Sequence, residues 1–120
     1  MDVAVPSNLK LGIDFNRQKV NNGVEPEEFN KIKKDPSAIL IDLREQSEID
    51  KQGMIKNSEI VPFPSMYEYL DKNKNKLKDK RILFYCAHGH RSTLAVQISK
   101  SYDFTNCCHL IGGLKNWKKE

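Results

Sequence analysis

Cysteine is scarce in this 120-residue chain, which has three: Cys86 and the adjacent Cys107 and Cys108. An odd count containing a vicinal pair makes a poor disulfide framework, so stability has to come from a packed core and a reducing compartment is expected. Long apolar runs are missing as well. None approaches the ~20 residues that a membrane-spanning helix needs, so no membrane partner is expected. The opening Met1-Asp2-Val3-Ala4-Val5-Pro6 has no basic region leading into an apolar stretch. No secretory signal is expected there, one removed beforehand would leave no trace, and the expected location is cytoplasmic. Aromatic residues are few, at 8%, and none lies in the most basic segment, Asp71 to Arg81. That segment carries six basic and two acidic residues and alone accounts for the net charge of +4. Lacking interleaved aromatics, it does not read as a nucleic-acid surface. Its plain reading is a solvated helix end and loop, and the other is a docking patch for an acidic partner.

What the chain does contain is the pattern of one α/β domain. Apolar residues make up 38% and charged residues 30%, with a mean hydropathy of -0.64, as in a soluble globular domain. Leu9, Leu11, Ile13 and Phe15 alternate with polar residues and glycine, which predicts an edge strand in an N-terminal extension over residues 1–23. Asn21-Asn22-Gly23 reads as a turn, and Pro26 followed by Glu27 and Glu28 as a helix start facing inward through Phe29 and Ile32. Ala38-Ile39-Leu40-Ile41 and Ile82-Leu83-Phe84-Tyr85 are continuous apolar runs, as parallel strands buried on both faces require. One ends at Asp42 and the other at Cys86. Ligands of open parallel sheets bind beyond the carboxyl ends of the strands, so Asp42 and Cys86 are expected to face one site. Helices are predicted over Ser65 to Asn73, from Arg91 or Ser92 onward with Leu94, Ala95, Ile98 and Tyr102 inward, and over Leu114 to Lys118. A last strand is expected over Cys107 to Ile111. Alternating strands and helices imply a mostly parallel sheet with helices on both faces.

The chemistry centres on Cys86-Ala87-His88-Gly89-His90-Arg91-Ser92, a strand running through a tight loop into a helix. Free N–H groups of such a loop and of the following helix converge on the cysteine sulfur and stabilise a thiolate or a bound anion. Gly89 permits a positive φ, while His88, His90 and Arg91 add donors and actual or potential positive charge. Cys86 is therefore expected to ionise more readily than a free thiol. Arg91 at a helix start is unfavourable for the helix dipole, which points to a structural pairing with an acid such as Asp42 or Glu45. Cys86, His88 and His90 crowd one loop without a second ligand cluster, so no metal is expected.

Three segments, Ile41-Asp42-Leu43-Arg44-Glu45, Cys86 to Ser92, and Leu110-Ile111-Gly112-Gly113-Leu114-Lys115-Asn116-Trp117, resemble the rhodanese family in order and spacing. The resemblance spans Val24 to Trp117, and the domain is taken as residues 24–120. It implies a five-stranded sheet in the order 1-5-4-2-3 and a sulfurtransferase reaction. In that reaction Cys86 takes the outer sulfur of thiosulfate or another sulfane donor as a persulfide and yields it to cyanide, a thiol or a protein acceptor. Asp42 and Arg44 would frame the site, and no metal or organic cofactor would be required. One departure from the family is Gly53-Met54-Ile55-Lys56-Asn57-Ser58, where the family carries Gly-His-Ile-x-Gly-Ala, so the histidine and the second glycine-alanine are missing. Related cysteine phosphatases and arsenate reductases place five residues between cysteine and arginine, whereas four, Ala87 to His90, stand here. A non-catalytic module that binds a protein partner is the alternative of another class. Cys107 and Cys108 would point to opposite faces of a strand, so at most one could resolve Cys86, and buried inert thiols are the default. Trp117 is expected to anchor packing, and His109 receives no role.

Overall fold

A computed structural model describes residues 15–117 of the chain. In chain order the first half contains α1 (Phe15–Val20), β1 (Gly23–Val24), α2 (Pro26–Ile32), β2 (Ala38–Asp42), α3 (Gln46–Gln52) and β3 (Glu59–Ile60). The second half contains α4 (Met66–Lys72), α5 (Lys74–Leu77), β4 (Arg81–Tyr85), α6 (His90–Ser101) and β5 (Cys107–Leu110). Short 3₁₀ turns occupy Phe63–Ser65 and Gly113–Asn116. All strand pairs are parallel and the order is β1-β5-β4-β2-β3, the 1-5-4-2-3 arrangement implied by the resemblance.

The two apolar runs lie side by side at the centre, with Ile39 beside Ile82 and Asp42 beside Tyr85. Successive side chains of a strand face opposite ways. Ile41, Ile82, Phe84 and Cys107 therefore pack with Met66, Leu70, Ala95 and Val96 on one face. Leu40, Leu83, Tyr85, Cys108 and Leu110 pack with Phe29, Ile32 and Ile55 on the other. Phe29 also meets Trp117 edge-on at 5.9 Å between ring centres, so Trp117 does anchor packing.

Three expectations change. The helix expected over Leu114 to Lys118 is a 3₁₀ turn over Gly113–Asn116, followed by an extended Trp117. Phe15 opens a helix rather than ending a strand, while Leu9, Leu11 and Ile13 lie outside the described residues. Tertiary contact overrides local pattern here, because α1 buries Gln18 against the end of the sheet. In α6 the buried face is Ser92, Thr93, Ala95, Val96 and Ser99, and Leu94 is 39% exposed. Small side chains line the close contact with β4 and β5, so the larger Ile98 and Tyr102 sit only at its margin.

The basic segment leads into β4. Lys72, Lys74 and Lys76 are each paired, with Glu68, Asp71 and Glu59, and Arg81 begins the strand that Cys86 follows. A five-residue strand spans ~17 Å, which puts Arg81 at the opposite end of β4 from the cysteine loop.

Candidate active site

Cys86 lies just past β4 and is 1% exposed. Its Sγ accepts the Gly89 N–H at 3.1 Å and the Ser92 N–H at 3.4 Å, and Ser92 Oγ stands 3.6 Å away. These are the convergent donors that the loop pattern predicts. Gly89 has φ 98° and precedes α6, and a Cβ there would strike the Gln18 side chain. The loop is held from behind, since Leu114 N–H donates to Cys86 O at 2.8 Å and Lys115 N–H to Ala87 O at 3.2 Å. That approach needs Gly113, because a Cβ on it would come within 2.5 Å of Cys86 O.

Arg91 pairs with neither Asp42 nor Glu45. Its two terminal nitrogens grip Glu48 at 2.8 and 2.9 Å. Glu45 is the N-cap of α3, and Glu48, one turn further on, closes the capping box and is presented to Arg91. The guanidinium holds the Glu48 carboxyl down at about 2, against the opposing effect of burial. Arg91 is shifted up mainly by the Glu48 bonds, and burial opposes the shift. A carboxylate with a depressed folded pKa contributes stability that is complete above its unfolded value near 4.5 and is lost as pH falls toward about 2. Glu48→Gln is expected to flatten the part of the acid-unfolding profile that lies between those values, as read by urea midpoints from pH 6 to pH 2.5.

Asp42 and Arg44 pair with each other instead, both side chains fully buried. Asp42 Oδ1 accepts the Arg44 N–H and Nε–H, each at 3.0 Å, and Oδ2 accepts Nη2–H at 2.7 Å. Arg44 also donates to Gly53 O at 2.7 Å. Burial works against its charge, and the Asp42 bonds outweigh that. The pair thus frames the site through the Gly53 segment rather than by touching Cys86. In that segment Asn57 takes φ 70°, the left-handed conformation that asparagine tolerates best after glycine. The turn survives without the family's second glycine. The Tyr85 hydroxyl secures it by accepting the Ile55 N–H at 3.1 Å and meeting Ser58 Oγ at 2.7 Å.

A cavity of about 790 Å³ opens beside the loop, lined by Ala87 and His88, by Lys33, Lys56 and Lys115, and by Met54 and Trp117 among others. His88 is exposed, yet its pKa is held below the ordinary imidazole value by partial desolvation first and then by Lys115, His90 and Arg91. His90 is exposed at the start of α6. Cys107 and Cys108 lie in the cores on opposite faces of the sheet, as the strand pattern required, and burial pushes each thiol up to about 11.

Besides Glu48, two residues escaped sequence reasoning. Gln18, 2% exposed, donates through Nε2 to His88 O at 3.0 Å and accepts the Gly112 N–H on Oε1 at 2.7 Å. His109 is fully buried, with Nδ1 2.9 Å from Ser92 Oγ and Nε2 3.0 Å from Gln18 O. The signal for His109 was a polar residue inside an otherwise apolar strand. For Gln18 there was none, because its partners are 70 and 94 positions away.

Known structures share this architecture. A human single-domain sulfurtransferase, TSTD1, is 22% identical, with 82% of this chain and 98% of that one covered at a TM-score of 0.70. A rhodanese-related protein from Thermoplasma volcanium is 27% identical over 80% of this chain and 89% of that one, at 0.63. A Rhodopseudomonas palustris protein of unknown function, described as a possible tyrosine phosphatase, is 22% identical over 98% and 93%, at 0.76. The likenesses at 22% identity establish the fold. Residues 25–120 match the family model of the rhodanese-like domain, and the chain accordingly belongs to the rhodanese-like family.

Proposed function

We propose that the protein is a sulfurtransferase that works through a persulfide on Cys86, taking sulfur from a small anionic donor such as thiosulfate. The observation that carries this reading is the pair of backbone N–H groups, from Gly89 and Ser92, directed at Cys86 Sγ. In the first step the Cys86 thiolate attacks the outer sulfur of thiosulfate. A sulfur–sulfur bond to Cys86 forms, the donor's sulfur–sulfur bond breaks, and sulfite leaves with the electron pair. In the second, an acceptor thiolate or cyanide attacks the outer sulfur and the Cys86 thiolate leaves. Preorganised N–H groups stabilise the anionic sulfur in both steps, and two half-reactions through a covalent intermediate give ping-pong kinetics. Lys33, Lys56 and Lys115 around the neighbouring cavity favour anionic donors and acceptors.

A phosphatase is disfavoured by the four-residue loop and by Arg91, whose terminal nitrogens are committed to Glu48 rather than free to clamp an oxyanion. Three free thiols suit a reducing compartment such as the cytoplasm. Among the described residues no helix is long and apolar enough to cross a membrane.

Intact mass spectrometry after brief exposure to thiosulfate tests the proposal. The expected result is a gain of one sulfur atom, mapped to the Cys86 peptide and removed by cyanide or a thiol. No gain with thiosulfate or a polysulfide would overturn it in favour of a partner-binding module.

A further inference from the structure

The buried chain Cys86, Ser92, His109 and Gln18 joins the reactive loop to β5 and α1 by side-chain hydrogen bonds, and the chemistry of its ends fixes where its protons sit. Gln18 O is a carbonyl and can only accept, so His109 Nε2, 3.0 Å away, carries a hydrogen. Burial drives the imidazole down to about 4 against the opposing Gln18 bond, so the ring is neutral at physiological pH and Nδ1 is an acceptor. The Ser92 hydroxyl has one proton and two acceptors in reach, His109 Nδ1 at 2.9 Å and Gly89 O at 3.2 Å, while its oxygen accepts from Cys86 Sγ at 3.6 Å. Gly89 O already accepts Thr93 Oγ1–H at 2.6 Å and Thr93 N–H at 3.1 Å. The shorter and less satisfied of the two is His109.

We propose that His109 is a positioning residue that holds the Ser92 hydroxyl proton away from Cys86, so that Ser92 offers the sulfur a lone pair rather than a donor. The inference rests on Cys86 being the reactive thiol. Ser92 Oγ then accepts the Cys86 S–H and leaves a thiolate only the two backbone N–H groups and the charge of Arg91, itself paired with Glu48. A thiolate denied the Ser92 donor is the poorer leaving group when an acceptor breaks the persulfide. His109 thereby lengthens the life of the loaded state. The imidazole takes no part in bond making and touches Cys86 only through Ser92.

The test is the rate of Cys86 alkylation by iodoacetamide at pH 6.5, followed by peptide mass spectrometry, which needs no sulfur donor and so stands apart from the test of sulfur transfer. Cys107 and Cys108, with thiols pushed up to about 11, react slowly under these conditions. His109→Leu releases the hydroxyl and is expected to accelerate alkylation roughly three- to tenfold, the scale of one added hydrogen bond to a charged group in imperfect geometry. His109→Asn is similar to leucine in shape and keeps an acceptor for Ser92, so its rate is expected to stay near that of the parent. In a Ser92→Ala background the leucine substitution should have no accelerating effect. Equal rates for the leucine and asparagine variants, or acceleration that persists without the Ser92 hydroxyl, would overturn the proposal. Should the leucine variant fail to fold, nitrogen NMR of the unaltered protein decides: the Nε2–H tautomer of His109 is required, and the Nδ1–H tautomer refutes it.

Discussion

Cys86→Ser is expected to lower thiosulfate-to-cyanide sulfur transfer by at least about 10³-fold, because in the proposed mechanism it removes the atom that carries the transferred sulfur. The fold should persist. The substituted side chain is smaller by little and its oxygen can accept the same Gly89 and Ser92 N–H groups that reach Sγ. The strand that delivers it, Arg81–Tyr85, keeps its pairing with β2 and β5. The decisive measurement pairs the steady-state rate with a urea midpoint on the same preparation. A lost rate with an unchanged midpoint assigns the loss to chemistry. Retained transfer would remove Cys86 from the mechanism; Cys107 and Cys108 lie within β5, where burial pushes each thiol up to about 11.

Asp42→Ala carries the largest expected cost to stability. It strips Arg44 of three charge-assisted bonds and leaves a guanidinium with no exposed side-chain surface facing Gly53 O, Gln52 and the Tyr85 ring. Breaking one side of a buried ion pair typically costs about 3–5 kcal/mol, a large share of the roughly 5–15 kcal/mol that holds a domain of this size together. The urea midpoint should fall accordingly with little change in slope. The double substitution Asp42→Ala with Arg44→Met removes the stranded charge and is expected to recover a substantial part of the loss. A double variant no more stable than the single one would show that the pair's worth is not electrostatic. Because Arg44 also holds Gly53, the single variant should loosen the wall of the cavity beside Ala87 and His88 and raise KM for an anionic donor more than it lowers kcat.

Much of the sheet could be read directly from the chain. Ala38 to Ile41 and Ile82 to Tyr85 are continuous apolar runs, and such a run has one comfortable home, a central parallel strand covered on both faces. Pro26 with two following glutamates marked the start of α2, and the structure begins that helix at Pro26. The cysteine loop was legible because its elements are adjacent: a glycine at positive φ and a helix start bring N–H groups to the sulfur within six residues. Arg91 was only half legible. Its need for an acid followed from its unfavourable place at a helix start, but the choice of Glu48 over Glu45 or Asp42 depends on how α3 is rotated against α6. The inward face of α6 was read correctly at Ala95 and wrongly at Leu94, for a related reason. Hydrophobic periodicity favoured Leu94, while the sheet's closeness selected the small Ser92 and Ser99 beside Ala95.

Local chemistry in the chain was thus enough to specify β2, β4 and β5, the turn glycines, the candidate nucleophile and its cradle, since each depends on residues that are neighbours in sequence. The environment around that cradle was decided only by folding. Gln18 reaches His88 and Gly112, and His109 reaches Ser92 and Gln18, across 17 to 94 positions. No pattern of polarity or propensity encodes such meetings. They arise because the parallel sheet places the carboxyl ends of β4 and β5 side by side and α1 packs across them, so that groups unrelated in sequence must satisfy one another's hydrogen bonds away from water.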